Sequence, residues 1–243
     1  MESMLKEVPL TLFDGPQYFD RNNDHIEKFQ ARANPEPLPE TSPTLAHDTV
    51  AAEKFVRLSL NEDLDVRREG VSALVKYLNV TQENVMRGLR ANVVDAIVTL
   101  AQDSQSEIRW SALKAAEQLA RVHAARATLV SKGLLPHLLS LLSDPVDAVR
   151  TASYKVVVLL VTDPIQGRKT VVEYKVVERI LECMNDRPSQ SGLVTLYEAI
   201  QGNDGRKNAI DADGIEVMKK CSDSDKPLIR ELALKCLAWL CVP

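Results

Sequence analysis

Apolar residues from about position 50 onward recur at helical spacing and are broken at regular intervals by short polar turns. Four stretches share one pattern: an apolar run, a turn rich in Asp or Asn, then a β-branched residue followed by arginine. They read LSLNEDLDVR to Arg67, LAQDSQSEIR to Arg109, LLSDPVDAVR to Arg150 and CSDSDKPLIR to Arg230. The first three arginines are 42 and 41 residues apart, and the fourth follows after 80. A degenerate copy is therefore expected near Gln190 and Ser191, where RPSQSGLVTLYEAI keeps the helical pattern without the arginine. A second marker runs in phase: VMRGLRAN, RATLVSKG, RKTVVEYK and RKNAIDADG each close before an apolar stretch, ending at Asn92, Gly133, Lys175 and Gly214. Two markers with one period of about 40 residues define a repeat.

Each unit divides into three helices. In the clearest one, residues 124–132 are predicted to form a short helix closed by Gly133, a natural left-handed terminator. Residues 134–143 form a second helix covered by Leu134, Leu135, Leu138, Leu139, Leu141 and Leu142. Asp144 is expected to cap a third helix with Pro145 in its first turn. In the preceding unit, Ser104 and Glu107 have the spacing of a capping box. Ala112, Ala115 and Ala116 on its third helix permit close helix approach.

Composition supports helices without deciding the matter. Hydrophobic residues are 45% of the 243 and aromatics only 5%, so the core is aliphatic. A formal net charge of -4 lacks the basic excess of a nucleic-acid binder. No run approaches the ~20 apolar residues needed to span a bilayer, and the N-terminus lacks the pattern of a signal peptide. These features predict a soluble, cytoplasmic protein. Cys183, Cys221, Cys236 and Cys241 form no C-x-x-C pair and are expected to be buried thiols.

Residues 1–48 do not follow the repeat and constitute an extended, Pro-rich arm ahead of the solenoid at 49–243. Half of the 12 prolines fall there, and PEPLPETSP is incompatible with regular helix. Leu10, Leu12, Phe13, Tyr18 and Phe19 nevertheless form a concentrated apolar patch, expected to dock onto the solenoid or onto a neighbour. At the opposite end, either Trp239, Leu240 and Cys241 leave an apolar end face for a partner or for self-association, or the last helix packs inward.

The search for chemistry is negative. His25, His47, His123 and His137 have no ligand spacing, and no phosphate loop or nucleophile elbow occurs. The acidic run Asp211, Asp213 and Glu216 lacks the register of a calcium loop and is read as the repeat turn at Gly214. No catalytic residue, cofactor or metal is assigned.

A short helix followed by two longer antiparallel ones resembles the armadillo family; HEAT repeats are close relatives but normally have two helices. The R-x-x-L-x-x-x-G stretch favours armadillo. The resemblance implies an all-α, right-handed superhelical solenoid of four to five three-helix repeats, with an extended peptide bound along the third helices. Importin-type members carry Trp and Asn on that helix. Here Lys114, Lys155 and Lys235 stand at the Trp-like position, and Lys76, Gln118, Leu159 and Trp239 at the Asn-like one. The missing Trp–Asn ladder argues against recognition of nuclear-import signals. The lysines are either a candidate positive groove for acidic partners or an ordinary solvated helix face, and the arm itself is a rival occupant of the groove. LVSKGLLPHLLSLLSDP and the Pro-rich arm are similar to armadillo subunits of ciliary radial spokes, which implies a scaffold in a multi-subunit axonemal assembly. The alternative from the same fold is an Hsp70 nucleotide-exchange cofactor or another soluble adaptor.

Overall fold

The structure is a computed structural model and describes residues 50–241; the arm residues Leu10, Leu12, Phe13, Tyr18 and Phe19 lie outside them. The described residues form fourteen helices and no strand. A leading pair, α1 (Ala51–Ser59) and α2 (Leu64–Leu78), makes unit 1. Four complete three-helix units follow. Unit 2 holds α3 (Gln82–Arg90), α4 (Val93–Leu100) and α5 (Ser106–Arg121). Unit 3 holds α6 (His123–Ser131), α7 (Leu134–Leu141) and α8 (Asp147–Val161). Unit 4 holds α9 (Gly167–Glu173), α10 (Val176–Asp186) and α11 (Gln190–Ala199). Unit 5 holds α12 (Asn203–Asp211), α13 (Gly214–Ser222) and α14 (Pro227–Leu240).

The turn from first to second helix needs one left-handed residue. Asn92, Gly133, Lys175 and Asp213 take it, with φ of 56°, 77°, 50° and 56°. Gly133 does so freely, and Asn and Asp tolerate it better than most side chains. In unit 5 the terminator is thus Asp213 rather than Gly214. Gly214 is required for a different reason: a Cβ there would press on the Ala209 carbonyl.

Third-helix starts also depart from expectation. The Ser104–Glu107 box does not form, because Gln105 is the residue flanking α5 and its side chain makes no cap. Asp144 likewise lies ahead of α8, whose flanking residue is Val146, and Pro145 precedes the helix. The side chain three residues before each of these helices bends the turn instead. Asn61, Asp103 and Asp144 accept from the backbone N–H of Asp63, Gln105 and Val146, each at 2.8 Å. Such local bonds hold a turn where a helix has not yet begun.

The core is one aliphatic cluster running through all five units. Leu134, Leu135 and Leu138 are fully buried, each adding roughly 1.5–3 kcal/mol relative to exposure. Third helices stack in chain order, α2 on α5, α5 on α8, α8 on α11 and α11 on α14. The second helices pair as α1 with α4, α4 with α7, and α10 with α13; the first as α3 with α6 and α9 with α12. Close backbone approach is sparse between α7 and α10 and between α6 and α9. Units 3 and 4 are therefore joined chiefly through α8 and α11.

Candidate interaction surface

The third helices present one register to solvent. Lys114, Lys155 and Lys235 each stand eight residues past the first residue of their helix. Units 1 and 4 place Ser72 and Glu198 at the same point. Gln118, Leu159 and Trp239 follow four residues later, with Lys76 in unit 1. Helical geometry sets these positions on one stripe.

Within the stripe, charge is partly neutralised. Lys114 Nζ lies 3.1 Å from Glu117 and 5.7 Å from the centre of the Trp110 ring. Burial pushes the Glu117 carboxyl up, but hydrogen bonds from Arg121 and Lys114 outweigh it and hold the group below its ordinary value. Lys235 pairs with Glu231 at 2.7 Å. Lys76 and Lys155 are exposed and make no ion pair among the described residues. Trp239 is committed differently: its indole N–H donates to the Ile200 carbonyl at the end of α11, at 2.8 Å. Leu240 beneath it is buried, whereas Cys241, expected among the buried thiols, is exposed.

Two cavities meet at the boundary of units 3 and 4. The larger, about 740 Å³, opens on the third-helix face between α8, α11 and α14 and is walled by Val158, Pro188, Val194 and Leu228. The smaller, about 240 Å³, is polar and holds Ser143, Arg150, Arg179, Glu182, Cys183 and Arg187. Tyr154 and Ser189 line both.

The repeated arginine has a role that sequence alone did not reveal. Arg67, Arg109 and Arg150 each donate through one terminal nitrogen to two carbonyls of the preceding turn: Asn61 and Glu62, Asp103 and Ser104, Asp144 and Pro145. The rest of the guanidinium reaches the next unit. Arg67 Nε is 2.9 Å from Asp103 Oδ2, and Arg109 grips Asp144 with two bonds of 2.8 and 3.1 Å. In units 2 and 3 the acid that bends the turn thus anchors the previous unit's arginine. Fork-to-carboxylate pairing of this kind is both strong and directional. Unit 4 breaks the ladder twice, because Arg187 stands at the acid position and Leu193 at the arginine position.

No group of three or more His, Cys, Asp or Glu among the described residues could hold a metal ion, and no described helix is long and apolar enough to cross a membrane. The His123 imidazole instead lies 3.4 Å from Asp163, in the turn after α8.

Similarity to known proteins agrees with this architecture. A designed armadillo repeat protein in complex with the peptide (KR)4 superposes with a TM-score of 0.70 at 17% identity, over 78% of this chain and 82% of that one. The fold is that of the armadillo repeat. An armadillo-repeats-only protein from Plasmodium falciparum gives a TM-score of 0.65 at 14% identity, over 80% of this chain and 94% of its own. The HEAT repeat family model matches residues 134–163, which are α7 and α8, the two-helix portion that both repeat types share. Radial spoke protein 14 of Chlamydomonas reinhardtii is 31% identical over 142 residues, 58% of this chain. The chain spans only about a third (36%) of that relative's length.

Proposed function

We propose that this armadillo chain is a non-catalytic interaction scaffold and a structural subunit of a large assembly of the radial-spoke kind. The observation that carries the finer reading is the 142-residue likeness to radial spoke protein 14; the coarser one rests on the fold. Stacked repeats expose an extended side-chain surface on rigid elements, which suits the holding of a partner segment. Lys76, Lys114, Gln118, Lys155, Lys235 and Trp239 lie on that surface and are its proposed contacts. Lys76 and Lys155, exposed and without an ion pair among the described residues, disfavour a basic peptide such as (KR)4 and favour an acidic partner. Residues 1–48, with Leu10, Leu12, Phe13, Tyr18 and Phe19, are proposed to act as a docking arm.

The test is affinity capture from extracted ciliary axonemes, with the full chain and with a form lacking residues 1–48. Enrichment of radial-spoke subunits by the full chain, reduced by the deletion, supports the reading. Recovery of Hsp70 or soluble cargo in place of spoke subunits overturns it.

A further inference from the structure

The break in the arginine ladder leaves a slot that the rest of the molecule fills with a carboxylate. At the two preceding junctions the acid is well enclosed: the Asp103 and Asp144 side chains are 12% and 4% exposed. At the third junction Arg150 keeps both turn carbonyls and binds Asp147 through Nη2 at 2.8 Å, but its Nε has no partner among the described residues. Across the polar cavity stands Arg187, a cation where the ladder has an acid. Arg179 lines the same space, its Nη2 donating to Ser143 Oγ at 2.8 Å. The carboxylates that accompany these arginines, Asp147, Glu182 and Asp186, are 80%, 65% and 79% exposed; Glu182 and Asp186 stand on the rim of the cavity, where Arg187 is itself 65% exposed. Water screens these acids, while the uncommitted donor belongs to a residue of the cavity wall.

Tyr154 supplies an independent sign. Units 1, 2 and 5 place Val71, Leu113 and Leu234 at its register and unit 4 places the half-buried Tyr197 there, so Tyr154 is set apart by the depth of its burial. The ring is 2% exposed, and the hydroxyl is enclosed without a hydrogen-bond partner of ordinary geometry. Its neighbours are the Cys183 sulfur, a poor acceptor, and the Arg179 and Arg150 guanidinium groups. Burial pushes the phenol far above its ordinary value, so it stays a protonated donor. A buried hydroxyl left unsatisfied is unfavourable, and an acceptor placed in the slot would remove that penalty.

We propose that this slot receives the carboxylate of an Asp or Glu side chain from a partner protein, held by Arg150 Nε, the Arg187 guanidinium and the Tyr154 hydroxyl. The adjoining 740 Å³ cavity, which shares Tyr154 and Ser189 with it, accommodates the apolar residues flanking that acid. The proposal deepens the scaffold reading and rests on it for the source of the acid, but the slot itself is testable without any assembly.

The probe is glutamate blocked at both ends, N-acetylglutamate N-methylamide, with its glutamine counterpart and inorganic phosphate as controls. The readout is the Arg150 Nε–Hε resonance of the full chain, identified by its loss in Arg150→Lys. A saturable shift with the glutamate probe and none with the glutamine one is expected. Tyr154→Phe removes one charge-assisted bond and is expected to weaken binding about tenfold, with thermal stability unchanged or raised. Arg187→Asp rebuilds the ladder from within and is expected to abolish binding while raising stability. A response equal for glutamine, none for glutamate, or binding that survives Arg187→Asp overturns the proposal. A stronger response to phosphate overturns the carboxylate assignment in favour of a phosphoryl ligand. Failure of axonemal capture with the glutamate response intact would remove the assembly reading alone.

Discussion

Units 3 and 4 use the same number of helices and the same left-handed turn, yet they are held to their neighbours differently. Unit 3 receives Arg109 on Asp144 and is clasped from behind. Unit 4 offers Arg187 to Arg150, and at its far side Leu193 reaches nothing in unit 5 comparable to an arginine fork. Its third helix is also shorter, 10 residues against 15 in unit 3. Gly192, beside Leu193, admits the Met184 side chain where a Cβ would collide with it. The contrast teaches that a solenoid can keep its backbone period while changing its polar fastening: here Arg179 of unit 4 reaches back to Ser143 Oγ at 2.8 Å and the Leu139 carbonyl at 3.3 Å in place of the arginine–carboxylate pair.

The largest expected effect lies in the fastening itself. Asp144→Ala strands the Arg109 guanidinium, which is 13% exposed, and is expected to lower stability by about 3–5 kcal/mol in urea denaturation. The register-equivalent Arg187→Ala is expected to change it by less than about 0.5 kcal/mol. Equal losses at the two positions would erase the distinction between the units.

A smaller effect separates two glycines. A Cβ at Gly205 would run into the Ala199 carbonyl oxygen, whereas one at Gly133 meets nothing within 4 Å. Gly205→Ala is expected to cost about 1–3 kcal/mol through overpacking. Gly133→Ala should cost about 1–2 kcal/mol from its φ of 77° alone. Replacement of Gly133 by Asn, which tolerates that φ, is expected to recover part of the loss.

Asp163 gives the comparison a dependence on pH. Burial pushes its carboxyl up, but hydrogen bonds from the Gln166 and Ile165 N–H groups, and the His123 and Arg126 charges, hold it below its ordinary value. A carboxyl depressed on folding contributes stability above its unfolded pKa of about 3.9, and loses it as pH falls through the lower folded value. Asp163→Asn is therefore expected to flatten the loss of stability below about pH 4. An unchanged acid limb in the melting profile would show that the turn joining α8 to α9 is held by other means.

Much of this was legible in the chain. The period, the three helices per unit and the Gly133 terminator follow from apolar spacing and the conformational freedom of glycine. The loss of the unit 4 arginine was visible too. The pairing of each arginine with the next unit's acid was not, because the partners are about 35 residues apart and only stacking shows which turn faces which. The signal was present as the acid that recurs six residues before the arginine, with Arg187 in its place in unit 4. Ser104 and Glu107 matched a capping box, yet Asp103 had already taken the turn's amide and two of its carbonyls were spent on Arg109. Trp239 is a surface residue whose indole N–H also closes α11; local sequence does not disclose a bond to the previous unit.

The chain has two tryptophans, Trp110 in unit 2 and Trp239 in unit 5. They fall on opposite sides of the junction where the ladder is interrupted. A linear array whose couplings are unequal melts in blocks rather than all at once. Each indole is therefore a separate optical reporter of its own block, and single-tryptophan variants would display two midpoints of fluorescence change. Merging those midpoints by restoring the acid at position 187 would convert one side chain into a dial for cooperativity along the whole solenoid.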